Sequence, residues 1–390
     1  MVKKKDNEVT QLSLFSNQVE KDTQKKPRPK NIPATKNTDA SASGFGWRFQ
    51  VMAGIVLSIH NIKELKSVEI EGSTEDVELK FNDKDPEYIQ VKAVQGNPID
   101  TKDNTKAALA MNTLINTSNI TNGEYSKLVY VVNFMNPLDL DGSLLNAFWL
   151  PRMDAPFIRP YNSLPRNAKQ FVQGRIKLAR KQLAKGKYLD TVDHFDLNRL
   201  YVVTILVSSN DQDEQNYSVL EGVLDNFFSE LKLSLKRAKI NNVKNMLVNR
   251  YLANAGSKES KKNHEEITKE ILVWRMIFEI IDEVPNTFYD DIPAELPDEL
   301  DLYENDFIKQ QVEDIDVINK VLAGINRYVK GTTPKNREVK EFVENKWMEY
   351  RETFPLGDDP LVQEYGIKMI MLRILNGERI IERIKKGVNL

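Results

Sequence analysis

The feature that most constrains this chain is a single change in hydrophobic rhythm. Short strand-length runs occupy the sequence before residue 207, and long helical stripes follow residue 217. A helix is expected from about Gly44 to Leu65, because Trp47, Met52, Val56 and Ile59 recur at mostly helical spacing. Three strand-like runs come next, Val68 to Glu71, Asp76 to Phe81 and Tyr88 to Val94. They are parted by Gly-Ser-Thr and by Asn82-Asp83-Lys84-Asp85-Pro86, both good turn chemistry. Ala107 to Ile115 reads as helical, while Lys127 to Asn133 and Leu200 to Val207 read as buried strands. The expectation for residues 41-255 is therefore an α/β fold with a mixed sheet flanked by helices.

Beyond Tyr217 the apolar positions step by three and four. Leu220, Leu224, Phe227, Leu231 and Leu235 form one stripe, and Ile267, Ile271, Trp274, Phe278 and Ile281 a second. Ile308, Val312, Ile315, Ile318, Leu322 and Ile325 form a third, after an acidic, Pro-rich loop at 285-301 read as carrying no metal. Asp359-Pro360 is an N-cap followed by proline at the first helical position, so the last helix is expected to start there. Residues 264-390 are expected to be all-α and to serve association. Ile370, Ile374 and Ile381 should bury against the rest of that region, a partner or a second copy.

Residues 1-40 hold nine Lys or Arg against five Asp or Glu and little apolar surface, the composition of a flexible, mildly basic tail. With no cysteine, disulfides, thiolate zinc sites and cysteine nucleophiles are excluded, which suits a reducing compartment. A net charge of −2 excludes global charge as the force that would bring the chain to nucleic acid or anionic lipid. Val51 to Ile59 is far too short to span a bilayer, and no apolar core follows the first lysines, so a cytoplasmic protein without membrane attachment is expected.

The common catalytic signatures GxxxxGK[ST], HExxH and GxSxG do not occur, and His60, His194 and His264 stand far apart. One constellation remains, Glu71 and Asp76 followed by Gln90-Val91-Lys92. Side chains at i and i+2 of a strand share a face, so Gln90 and Lys92 would point the same way. Asp76, the Gln90 amide oxygen and the Val91 carbonyl are hard oxygen donors suited to Mg²⁺, and Lys92 would orient the attacking water. The same residues also suit an edge hairpin with solvated polar groups.

The stretch GFGWRFQVMAGIVLSI, then VEIEGSTEDVEL, then YIQVKAV resembles the PD-(D/E)xK restriction-endonuclease superfamily. Within it, the likeness is to the double-stranded-DNA nuclease domain of CD-NTase-associated effectors, whose active site is D…QxK. The resemblance is specific over Gly44 to Val94 and looser to about residue 255. It implies a restriction-endonuclease-like fold, Mg²⁺-dependent DNA cleavage and a place in prokaryotic antiviral defence. It carries Asp76, Gln90 and Lys92 position by position, with Gln50 and Glu71 as secondary site residues. Gln90 stands where the superfamily more often has Glu, which gives the metal site one negative charge fewer. A nuclease domain followed by a helical region is similar to the A subunit of Lamassu defence systems, which implies an SMC-like ATPase partner and self-association when active.

Two further features bear on partners. Arg166, Lys169, Arg175, Lys177, Arg180, Lys181, Lys185 and Lys187 occur without an intervening acid, while Val172, Ile176, Ala179 and Leu183 form an apolar stripe. Arg175, Lys177, Arg180 and Lys181 would then track DNA phosphates, or else form a solvated face. In the tail, Gln11-Leu12-Ser13-Leu14-Phe15 matches the pentapeptide by which proteins bind the bacterial sliding clamp, QL[SD]LF. The function expected is a restrained, metal-dependent DNA endonuclease. The competing class is a noncatalytic adaptor that tethers a nuclease-like fold to an SMC-like or replication assembly.

Overall fold

Hydrogen bonding between short runs of β-branched and aromatic residues builds a seven-stranded sheet in the computed structural model. Described are residues 40–72, 74–99, 104–185, 194–208, 218–256, 266–281, 315–354 and 359–390, with 288, 292, 296 and 300 as single positions. The strands are β1 (Leu65–Ile70), β2 (Val77–Phe81), β3 (Glu87–Lys92), β4 (Lys127–Val132), β5 (Phe157–Pro160), β6 (Leu200–Thr204) and β7 (Ile267–Thr268). Their spatial order is β5-β6-β4-β3-β2-β1-β7. β3, β4 and β6 run parallel, and the remaining neighbours pair antiparallel, so the sheet is mixed. The architecture is α/β with a helical C-terminal region.

Alternation along the strands separates two cores. Val77, Leu79, Ile89, Val91, Val129 and Val131 face the larger one. It is filled by α1 (Ala40–His60), α5 (Ser218–Glu230), α6 (Arg237–Gly256) and α7 (Lys269–Ile280). Leu128, Tyr130, Val132, Leu200 and Val202 face the smaller core, covered by α2 (Asn104–Ile120) and α4 (Arg166–Lys185). The short α3 (Gly142–Phe148) lies at its margin and has no buried residue. α1 is buried along nearly its whole length from Phe49 to Ile59, and it stops at His60 because a turn over 61–64 leads into β1. The expected extension to Leu65 is therefore five residues too long, and β1 begins at Leu65, three residues before the expected Val68. Gly54 permits the close packing of helix on sheet, since a Cβ there would lie 2.3 Å from Ile70 Cδ1.

The helical C-terminal region contributes one element that helical periodicity concealed. Ile267 and Thr268 form β7 beside Val68 and Ser67, at the start of the expected second stripe, so strands do not end at 207. Thr268 then caps α7 by accepting the Ile271 N–H at 3.3 Å. α8 (Ile315–Tyr328), α9 (Asn336–Lys346) and α10 (Pro360–Val388) follow. Asp359 accepts from Leu361 N at 2.8 Å and Val362 N at 3.2 Å, so α10 starts where the Asp-Pro pair places it. Ile370, Ile374 and Ile381 are buried in the same core that reaches back to α1, so this chain itself takes up their apolar surface. Ser41–Leu390 forms one compact unit. From the expected 285–301 loop, Ile292, Leu296 and Leu300 pack with Phe288 and Tyr365 in a small separate cluster. Among the described residues, no helix is long and apolar enough to cross a membrane.

Candidate active site

The antiparallel register of β2 and β3 puts Val77 opposite Ile89, which brings Asp76, one residue earlier, beside Gln90. The Gln90 amide Nε2 donates to Asp76 Oδ2, and the Val91 N–H donates to the same oxygen at 2.8 Å. Hydrogen bonds to an ionised acceptor are the strong ones, so this pair fixes the mouth of the β2–β3 hairpin. Gln90 is only 3% exposed, and Asp76 and Lys92 are half-buried. Gln90 and Lys92 share a face, as their spacing requires, while the Val91 side chain enters the larger core and its backbone meets Asp76. Lys92 makes no salt bridge with a described residue, and its positive charge acts on the neighbouring Glu75 carboxyl.

A fourth polar side chain joins them that sequence reasoning did not select. Glu75 lies just before β2, buried to 5% exposure, and accepts a hydrogen bond on Oε1 from the Thr117 hydroxyl of α2. Its second oxygen, Oε2, is buried without a hydrogen-bond partner. Burial, aided by the neighbouring Asp76 and Glu78 charges, pushes the Glu75 carboxyl up to about 8, and the Lys92 ammonium and Thr117 hydroxyl pull against that rise. The loop that carries Glu75 is tightly specified. Glu71 sits at φ 55° and its N–H donates to the Asp76 carbonyl at 2.8 Å. The Glu78 carboxylate accepts from Thr74 N at 2.8 Å and Glu75 N at 3.3 Å. A Cβ on Gly72 would lie 2.5 Å from that carboxylate, so a larger residue there would displace the Glu78 side chain.

The secondary residues are placed differently. Glu71 contributes its backbone to the hairpin. Gln50 belongs to α1, on the face of the sheet opposite Gln90, and makes no hydrogen bond to the site. The basic helix lies on the site's own face. Val172, Ile176 and Ala179 of α4 are buried and Leu183 is half-buried, confirming the apolar stripe. Lys177, Arg180 and Lys181 are exposed and line an open groove of about 590 Å³ with Gln173, Ile176, Ala184 and Leu197. Arg175 instead stacks its guanidinium 4.6 Å from the Phe171 ring. α2 links the two features, because Thr117 holds Glu75 and Asn112 donates to Gln182 of α4 at 3.2 Å. Gln11 to Phe15, and Lys187 of the basic run, lie outside the described residues.

Whether these residues suit a divalent cation can be judged from their donors. Asp76, Glu75 and the Gln90 amide oxygen are hard ligands of the type Mg²⁺ takes, and the orphaned Glu75 Oε2 is a buried oxygen that a proton or a cation would complete. The Gln90 amide presents its nitrogen to Asp76, so it must turn over to offer oxygen. Among the described residues no group of three or more His, Cys, Asp or Glu is placed to hold a metal, so a cation here would have at most two carboxylates and an amide. Comparison of the chain with protein-family models, with curated proteins and with solved structures gives no match.

Proposed function

We propose that this chain is a Mg²⁺-dependent DNA endonuclease, an effector of prokaryotic antiviral or anti-plasmid defence that acts when a partner complex or self-association releases it. The observation that carries the reading is the hydrogen bond of Gln90 to Asp76 on the sheet face that Lys92 shares, with the basic helix α4 on that same face. Asp76 and the Gln90 oxygen would hold the cation, with the Val91 carbonyl as a further donor. Bound there, Mg²⁺ supplies charge to the scissile phosphate and acidifies water. Lys92 would orient that water and stabilise charge that develops on the phosphate. Lys177, Arg180 and Lys181 would hold the duplex through its phosphates without reading bases. Arg175, tied to Phe171, contributes less than its position in the run suggests.

The partners proposed are double-stranded DNA, an SMC-like ATPase, a second copy of this chain and, through Gln11 to Phe15, the sliding clamp. A tail peptide covering that motif should bind purified clamp, with Leu14 and Phe15 carrying the affinity. The direct test of the activity is plasmid degradation with Mg²⁺ by the chain in its activated assembly. Lys92→Ala should abolish cleavage in a folded protein, and full activity in that variant would remove Lys92 from the site.

One observation favours the noncatalytic adaptor instead. Asp76 Oδ2 already accepts two hydrogen bonds, the arrangement of a carboxylate that serves only to fasten a hairpin. A chain that binds no divalent cation and cleaves no DNA in its complete assembly would establish that reading.

A further inference from the structure

A buried carboxylate with one oxygen unsatisfied is costly, and native proteins keep such groups where something else completes them. Glu75 is this group. It is 5% exposed, its Oε1 is fixed by Thr117, and its Oε2 has no partner. Fixing one oxygen holds the carboxyl plane, so the open oxygen has a set direction. The charges that act on the carboxyl are Asp76, Lys92 and Glu78, of which Glu78 is committed to the backbone of Thr74 and Glu75. Glu75 adjoins Asp76 in the chain, and the helix that holds it, α2, packs on β3, the strand of Gln90 and Lys92, so the orphan oxygen lies beside the candidate site.

We infer that Glu75 is the second carboxylate of the cation site, acting beside Asp76, and that Thr117 of α2 is the positioning residue that aims it. The inference rests on the proposed nuclease reading and deepens it. It restores to the site the negative charge lost by having Gln90 in place of an acid. Two carboxylates and one neutral amide match a divalent cation that keeps several of its own waters, the habit of Mg²⁺. Glu78 is excluded from the set because both its backbone bonds would have to break.

The test is Mn²⁺ binding to the full-length chain, followed by calorimetry and by electron paramagnetic resonance of the free ion, without any assay of cleavage. Wild type should bind, Asp76→Ala should lose binding, and Glu75→Gln should weaken it tenfold or more. Thr117→Val keeps the carboxylate but frees its plane, and a several-fold loss is expected. Glu75→Gln that binds as wild type while Asp76→Ala does not would overturn the assignment of Glu75 and leave the nuclease site standing. No Mn²⁺ binding by wild type would overturn both. If Glu75→Gln does not fold by thermal melting, Thr117→Val decides: unchanged affinity in that variant overturns the inference.

Discussion

Replacing Asp76 tests stability and chemistry in one residue, because its carboxylate both fastens the hairpin and is proposed to hold the metal. Oδ2 accepts from the Gln90 amide and the Val91 N–H. Asp76→Asn keeps an oxygen for Val91 but removes the charge. Each bond then falls from the range of about 1.5–3 kcal/mol for an ionised partner to about 0.5–1.5 kcal/mol, a loss of about 2 kcal/mol for the pair. Asp76→Ala removes the acceptor of both bonds. It strands the Val91 N–H at 4% exposure and the Gln90 amide at 3%, and each stranded group costs about 1–3 kcal/mol. The Ala variant should therefore be less stable than the Asn variant by about 1–3 kcal/mol. Urea unfolding with an unchanged slope reads this ordering directly. Plasmid cleavage reads the other role, since both variants lose the metal-binding charge and should be inactive although the Asn protein remains folded. Equal stabilities of Asn and Ala would refute the hydrogen-bond account. Cleavage by Asp76→Asn within tenfold of wild type would refute the metal role, whatever the stabilities.

Glu75 makes stability depend on pH. Its carboxyl is raised from 4.5 to about 8 in the folded chain, so the folded state favours the protonated form. That contribution is complete below the unfolded value and is lost as pH rises through the folded one, a change of a few kcal/mol. Without added metal, Glu75→Gln should gain on wild type between pH 5 and 9, and parallel stability curves would count against the burial. Ile374, fully buried in α10, should cost about 2–5 kcal/mol as Ala, and Ile374→Asp should unfold the chain instead of releasing a folded monomer. A folded Ile374→Asp protein by circular dichroism would return the residue to an interface. Neutralising Lys177, Arg180 and Lys181 together should flatten the dependence of log DNA affinity on log salt by roughly 0.9 per lost phosphate contact, equally on unrelated sequences. An unchanged slope would make the helix face merely solvated.

What the sequence made legible was whatever depends on period and spacing. The i, i+2 rule placed Gln90 and Lys92 on one face, and the register of β2 on β3 brought Asp76 to them. Asp359-Pro360 set the start of α10, and Val172, Ile176 and Ala179 set the buried side of α4. β7 escaped because two residues carry no period, and Ile267 fitted the helical stripe that follows it. The apolar surface of α10 suggested association only because sequence cannot count the helices that will surround it; here it enters a core shared with α1. Glu75 escaped for a different reason. Adjacent residues on a strand face opposite ways, a rule that gives no place to an acid outside the strand. Glu75 stands two residues before β2 begins at Val77, where alternation does not apply. Here the Glu71 backbone at positive φ, the close passage of Gly72 and the Glu78 carboxylate turn the chain so that Glu75 meets a hydroxyl from Thr117, which follows it by 42 residues. Each of those contacts is specified by shape and by unsatisfied backbone groups, not by spacing. The hairpin entry, and not the QxK strand, is where this candidate site departs furthest from what its sequence pattern conveys.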